Sequence, residues 1–181
     1  RPGVDQMLVE MDGCEIRTGT LSPAPEGGKT ASRDLPRSQR VERWRDVRIG
    51  VTHPLEQDEA TYVGGMDSYE TVGRRLFCAS VSEGLSSRTE TIIIADGANG
   101  LMEELMVQFP NAMFILDRPH LVQHVHATAE AMGRVDEVKT DWANHLMERI
   151  DRGDVRGVIE EMCASRGVGH DRARQLAGYL R

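Results

Sequence analysis

The sequence is poor in aromatic residues, in cysteine and in long apolar runs. Aromatic residues make up only 4% of its 181 residues, so a core has to rest mainly on Val, Ile, Leu, Met and Ala. Cys14, Cys78 and Cys163 lie far apart and form no CxxC pair, which argues against a disulfide framework or a zinc ribbon and favours a reducing cytoplasm. No apolar run approaches the ~18 residues that a membrane span needs, so we expect no membrane partner.

The chain also lacks an overall positive charge. Its net charge is −7, which argues against a protein that coats nucleic acid with a generally basic surface. An enzyme that holds DNA through one local basic strip is still compatible with this balance. The length fits one large domain or two small ones, and because the first residue is Arg1, we expect a fragment or a processed piece of a longer protein.

Apolar patterning predicts an α/β fold with three antiparallel strands, then a parallel strand–helix–strand unit, then helices only. Strands are predicted at residues 7–12 and 14–18 (the second continuing the first as a hairpin or bend), 41–51, 60–63, 91–95 and 112–116. Helices are predicted at residues 67–82, 99–109, 119–132, 138–149, 155–165 and 170–180. A stretch rich in Pro, Gly and Ser predicts a flexible loop at about 20–39.

Two acids follow apolar strands and precede glycines: Asp12 and Asp96. Ligands of open α/β sheets bind beyond the carboxyl ends of the strands. Two carboxylates brought together there repel each other unless a cation lies between them, and oxygen ligands suit Mg²⁺ or Mn²⁺. Each Asp-Gly pair is, by itself, also an ordinary turn former, but their shared context favours a metal site.

Four runs carry a resemblance to a known family: VEMDG, WRDVRIGV, IIIADGA and FILDRPHLVQHV. In this order and spacing they resemble the core of DDE-type insertion-sequence transposases, and within these the ISKra-like and mutator-like groups. Asp117, Arg118, Pro119 and His120 fit the [Cys/Asp]-x-x-His element that follows the second acid in the mutator-like group. The tail GDVRGVIEEMCASRG also looks like that family's helical insertion, so the resemblance covers nearly the whole chain.

The resemblance implies a ribonuclease-H-like core, which is a mixed five-stranded sheet with flanking helices, followed by an all-helical insertion. Residues 1–118 would be an incomplete catalytic core and residues 119–181 the insertion. Asp12 and Asp96 would be catalytic and would hold Mg²⁺ or Mn²⁺, with Asp117 and His120 belonging to the associated motif. In such a site one metal activates the attacking oxygen and another stabilises the leaving oxygen of a phosphodiester.

The implied activity is metal-dependent hydrolysis and strand transfer at transposon ends. The partners would be transposon-end and target DNA, in the bacterial cytoplasm and associated with the nucleoid, with homo-oligomerisation left open. One alternative is a ribonuclease-H-like nuclease that uses the same acids. Another is an inactive, truncated transposase relic that acts only as a binding module.

The third catalytic acid has two candidate positions. Glu130 follows Asp96 at a spacing near that of compact DDE cores. If the helix from Pro119 opens an insertion, however, the family's third acid lies beyond Arg181. We favour the second position, and we then expect this piece of the protein alone to be inactive.

The histidines after Asp117 also fit a zinc site, because His120 and His124 are spaced i, i+4. No further Cys or His supplies an obvious fourth ligand. We therefore expect His120 to orient the strand end or to contact a DNA phosphate, and His124 and His126 to be ordinary helix residues.

The basic residues cluster around the second predicted strand. Arg43, Arg45 and Arg48 are candidates for DNA contact through phosphates, which positions DNA without reading its sequence. The alternative is a solvated strand face. Trp44, which lies among them, is expected in the core.

Overall fold

The computed structural model describes residues 3–21, 40–97 and 100–181, so most of the loop predicted at about 20–39 lies outside the described residues. The described elements are β1 (Gln6–Leu21), β2 (Arg40–Pro54), β3 (Thr61–Gly65), α1 (Tyr69–Glu83), β4 (Glu90–Ala95), α2 (Leu101–Gln108), β5 (Met113–Leu116), α3 (Arg118–Ala131), α4 (Asp136–Asp151), α5 (Val155–Ala164) and α6 (His170–Tyr179). The five strands form a mixed sheet in the order β3-β2-β1-β4-β5. The predicted α/β class, with a mixed five-stranded sheet and flanking helices, is confirmed.

The chain divides into two compact units, residues 1–89 and residues 90–181. The boundary predicted after residue 118 falls inside the second unit, which contains β4, α2 and β5 as well as the four helices α3 to α6. Hydrogen bonds explain this grouping. The Asp117 amide donates to the Ala95 carbonyl at 2.9 Å, and Tyr179 at the end of α6 reaches Asp96 beyond β4.

The first strand is longer than the sequence predicts and is not interrupted. A bend or hairpin is expected after Asp12, but β1 continues to Leu21 and pairs with β2 without a change of register, from Met7 opposite Pro54 to Leu21 opposite Arg40. Gly13 therefore lies inside a strand. A Cβ at this position would lie 3.1 Å from the Tyr69 hydroxyl, so the glycine serves a close approach and not a turn.

The core of the first unit lies between α1 and the buried halves of β1 and β2. Met7, Val9 and Met11 alternate along β1 and are at most 2% exposed, which is the period-two pattern of a strand with one buried face. From α1, Val72 and Leu76 are fully buried at helical spacing. Burying each large apolar side chain stabilises the fold by roughly 1.5–3 kcal/mol.

Hydrogen bonds cap the ends of α1 and pair the buried hydroxyl on its inner face. The Ser68 hydroxyl caps the first turn by accepting from the Thr71 amide at 3.2 Å. Gly84 ends the helix with φ 113°, a left-handed conformation that favours glycine. The buried hydroxyls of Thr52 and Ser80 lie 2.8 Å apart and bond to each other, so the contact between helix and strand leaves neither unpaired.

Gly50 lets the backbone of β2 approach α1. A Cβ added here would lie 2.8 Å from Leu76 Cδ2 and 3.3 Å from the Glu10 carbonyl oxygen. Leu76 is fully buried, so its side chain has little room to move away. The glycine that ends the WRDVRIG motif is thus required by packing.

In the second unit, the helices α3 to α6 enclose an apolar cluster. Its buried members are Leu121, Val125, Ala143, Leu146, Met147, Val158, Met162, Ala173, Leu176 and Ala177. Each helix contributes residues three or four positions apart, as an amphipathic helix requires. Among the described residues, no helix is both long enough and apolar enough to cross a membrane.

We predict that Gly50→Ala destabilises the protein by about 1–3 kcal/mol, because overpacking a filled core forces strain. Gly19→Ala is the matched control, since it lies in the neighbouring strand with nothing within 4 Å of an added Cβ. Urea unfolding followed by circular dichroism compares the two midpoints. Equal midpoints for the two variants would contradict the packing role of Gly50.

Candidate functional site

Asp96 and Asp117 leave the sheet side by side at the same edge. β4 and β5 are parallel, with Ala95 opposite Leu116 as the last pair, so the acid that follows each strand lies at the carboxyl end of its own strand. Neighbouring strands lie about 4.8 Å apart, which brings the two acids close together. This is the edge at which open α/β sheets bind their ligands.

Tyr179, at the end of α6, bonds directly to the Asp96 carboxylate. Its hydroxyl donates to Asp96 Oδ1 at 2.7 Å and accepts from the Gly97 amide at 3.3 Å. Burial first, and then the hydrogen bond to Asp96, raise the pKa of Tyr179 above its ordinary value, and the charges of Asp96 and Asp117 act in the same direction. The phenol therefore stays protonated and remains a donor to Asp96.

Gly97 makes room for this contact. A Cβ at residue 97 would lie 2.8 Å from Leu116 Cδ2 and 2.9 Å from the Tyr179 ring. A side chain there would displace Tyr179 from Asp96. The glycine of the IIIADGA run is therefore explained by the close approach of the tyrosine ring.

His124 of α3 packs against the same tyrosine. The ring centroids of His124 and Tyr179 lie 4.2 Å apart, and Arg172 Nη2 lies 3.3 Å from His124 Nδ1. Burial and the Arg172 charge lower the pKa of His124, and Asp96 partly opposes them. Because a guanidinium can only donate, Nδ1 is the acceptor and the neutral ring carries its proton on Nε2.

His120 is paired with Asp117. Its Nδ1 lies 2.6 Å from Asp117 Oδ2, and both side chains are about 70% buried. A neutral imidazole that donates from Nδ1 to the carboxylate has Nε2 as its acceptor. Asp117 is the N-cap residue of α3, and Pro119 follows in the first turn, so the backbone holds the pair in place.

These six side chains form one polar group, called the Asp96 cluster below: Asp96, Asp117, His120, His124, Arg172 and Tyr179. In the described part of the chain, no three His, Cys, Asp or Glu side chains are arranged to hold a metal ion. A closed zinc site needs four ligands, and the Arg172 cation beside His124 disfavours a metal there. Mg²⁺, in contrast, is commonly bound by one or two carboxylates and several waters, and Asp96 offers one such carboxylate.

Asp12 lies in the middle of β1 and is exposed. Its Oδ1 accepts from the Gly13 amide at 2.7 Å. Asp12 marks the point at which β1 leaves the core, since Met11 is 2% exposed and residues 12–17 are all exposed. Asp12 thus ends the buried part of its strand, although not the strand itself.

The candidate DNA-contacting arginines differ in their surroundings. Arg43 and Arg45 are exposed. The Arg48 side chain is only 16% exposed, and it stacks on the Tyr69 ring at 4.2 Å and donates to the Asp67 carbonyl at 2.6 Å. Trp44 is 64% exposed, so the prediction that it belongs to the core is wrong.

Glu130, the alternative third acid, lies at the far end of α3. It is thirteen residues beyond Asp117, which corresponds to about 20 Å along a helix axis. Its side chain is 73% exposed and accepts from Lys139 Nζ at 3.0 Å. This position disfavours Glu130 as a partner of Asp96.

Sequence reasoning missed Arg172 and Tyr179 and took His124 for an ordinary helix residue. Arg172, Leu176 and Tyr179 are spaced i, i+4, i+7, so they share one face of α6. The available signal was a polar aromatic residue, one of only three tyrosines, on the same face as a buried leucine. Nothing in the local pattern indicated that Asp96 would be its partner.

We predict that Tyr179 ionises above the ordinary phenol pKa of about 10. The folded state holds this proton more tightly than the unfolded state, so the associated stabilisation is complete below the ordinary value and is lost as pH rises through the folded value. The difference in absorbance at alkaline pH between the wild type and Tyr179→Phe isolates this group. A difference midpoint at or below pH 10 would contradict the hydrogen bond to Asp96.

Comparison with known proteins assigns no function to this cluster. No family model matches the sequence, and no curated protein matches it significantly.

Proposed function

We propose that this chain is the catalytic region of a DDE-type DNA transposase with a ribonuclease-H-like core. Its reaction would be metal-dependent hydrolysis and strand transfer at transposon ends. The observation that carries the proposal is the sheet order β3-β2-β1-β4-β5, in which Asp96 follows the fourth strand. The paired motif residues Asp117 and His120 support it further, because they are hydrogen-bonded beside Asp96.

The proposal takes Asp12 and Asp96 as ligands of Mg²⁺ or Mn²⁺. Each uses one carboxylate oxygen in a hydrogen bond, Asp12 with the Gly13 amide and Asp96 with the Tyr179 hydroxyl. Hydrogen bonds of this kind orient metal ligands, and each carboxylate keeps a second oxygen. In a two-metal site of this kind, one ion would activate the attacking oxygen of a phosphodiester reaction and the other would stabilise the leaving oxygen.

The remaining residues of the Asp96 cluster would position the site and the DNA. Tyr179 and Gly97 hold Asp96 in one orientation. Asp117 fixes the ring of His120, whose Nε2 would donate to a phosphate oxygen when the ring carries a proton on both nitrogens. A DNA substrate also implies a place beside the nucleoid in the bacterial cytoplasm.

A second candidate function is an inactive binding module derived from such a transposase. The observation that favours it is the lack, among the described residues, of a group of three metal-ligating side chains. An inactive relic would keep the fold and the DNA-binding surface but would bind no catalytic metal. A metal titration separates the two candidates.

We predict that this chain binds Mn²⁺ weakly and that Asp12→Asn and Asp96→Asn each lower the affinity at least about tenfold. Loss of a residue that only supports a metal ligand typically lowers metal affinity by about tenfold or more, and loss of the ligand itself should lower it at least as much. Asp58→Asn is the control, because Asp58 is exposed in the turn before β3 and makes the same change of charge. Calorimetric titration measures the affinities. Equal affinity in all three variants would contradict the metal site, and an absence of binding in the wild type would favour the binding module.

We also predict that Glu130→Gln leaves Mn²⁺ affinity within twofold of the wild type. Its ion pair with Lys139 is exposed, and such pairs contribute little, about 0–1 kcal/mol, so the fold should persist. The same titration, together with circular dichroism, checks both statements. Loss of Mn²⁺ binding in a folded Glu130→Gln variant would show that Glu130 is the third acid.

A further inference from the structure

The outer parts of β1 and β2 form an exposed two-stranded ribbon, called the distal ribbon below. It pairs residues 13–20 with residues 41–48. Apart from Val47 and Arg48 of β2 and Thr18 of β1, all of these residues are exposed. Directly opposed residues of an antiparallel pair lie on the same face, so the register assigns every ribbon residue to one of two faces.

One face of the distal ribbon is the side on which α1 packs, because Gly50 on that side meets Leu76. This α1 face carries five charges, from Glu15, Arg17, Glu42, Asp46 and Arg48. Its two arginines have protein partners: Arg17 pairs with Glu42 at 3.4 Å, and Arg48 stacks on Tyr69. Acids outnumber bases here, so this face does not favour an anionic ligand.

The opposite face contains Asp12 at its inner end and is called the Asp12 face. On the distal ribbon it carries Cys14, Ile16, Thr18, Thr20, Val41, Arg43, Arg45 and Val47. Its only charges there are those of Arg43 and Arg45. Neither side chain forms an ion pair or hydrogen bond with another described residue.

The two arginines lie two residues apart on one strand, about 7 Å from each other. The hydroxyls of Thr18 and Thr20 are already used, since they donate to the carbonyls of Arg43 and Val41 at 3.0 and 3.3 Å. The face therefore offers two cations without a partner among the residues that the structure describes, and few other polar groups. This chemistry suits contact with successive phosphates and not the reading of base edges.

We propose that the Asp12 face of the distal ribbon binds the phosphate backbone of duplex DNA through Arg43 and Arg45. The inference rests on the proposed function for its choice of DNA as the polyanion. A two-stranded β-ribbon has the width to lie along the major groove. Because Asp12 lies on the same face, DNA bound there would extend from the ribbon toward the candidate metal ligand, while Arg48 has no part in the contact.

The test compares two double variants of equal net charge, Arg43→Gln/Arg45→Gln and the control Arg17→Gln/Arg74→Gln. The control removes one arginine from the α1 face and one from the exposed surface of α1, where Arg74 pairs with Glu70. Fluorescence anisotropy with two 20-base-pair duplexes of unrelated sequence gives the dissociation constant between about 50 and 200 mM salt. Circular dichroism checks that both variants are folded.

Loss of two phosphate contacts should lower the slope of log affinity against log salt by about 1.8 and weaken binding by tens of fold near 0.1 M salt, equally for both duplexes. The control should stay within twofold of the wild type. Equal weakening in both variants, tighter binding to single-stranded DNA than to duplex, or no DNA binding by the wild type would each overturn the inference. Failure of the proposed function would be seen in a different experiment, as Mn²⁺ binding that does not depend on Asp12 and Asp96.

Discussion

The hydrogen bond from Tyr179 to Asp96 is the contact on which the candidate site depends. It joins the end of α6 to the end of β4, across 83 residues of sequence. The contact fixes the orientation of the Asp96 carboxylate and gives the tyrosine ring a place against His124. Burial in turn raises the pKa of the phenol, so Tyr179 stays a hydrogen-bond donor at neutral and moderately alkaline pH.

Close packing and short hydrogen bonds also explain the motifs that carry the family resemblance. Gly50 allows β2 to lie against Leu76, and Gly97 allows Tyr179 to lie against the end of β4. Asp117 and His120, three residues apart at the start of α3, are bonded to each other. Each of these contacts lies inside one compact unit. A larger residue at either glycine, or an apolar residue at Asp117 or His120, would remove the contact.

The sequence was sufficient for the elements whose pattern is local. The runs at residues 91–95 and 112–116 are β-branched or apolar throughout, and both are strands within one or two residues of the predicted ends. The helices after Pro119 were also predictable, because their apolar spacing and punctuating glycines are local signals.

The failures involve contacts between distant parts of the chain. Gly13 looks like a turn residue, but the ladder with β2 continues through it, and Tyr69 occupies the space beside it. Trp44 looks like a core residue because large aromatics are usually well buried, yet it lies in the outer part of β2, where residues 41–46 are all exposed. Tyr179 bonds to a residue that no periodicity relates to it. Strand pairing and helix packing decide these positions, and neither can be read from a window of neighbouring residues.

We propose that Asp12 and Asp96 bind a divalent metal ion together, and this is the proposal on which the suggested function depends. Its most direct test is the anomalous scattering of Mn²⁺ in crystals of this chain soaked in the metal. We expect an anomalous peak with carboxylate oxygens of both Asp12 and Asp96 at about 2.0–2.2 Å, close to the distances typical of Mg²⁺. A peak bound by Asp96 and Asp117 without Asp12, or no peak beside Asp96 at saturating Mn²⁺, would contradict the account.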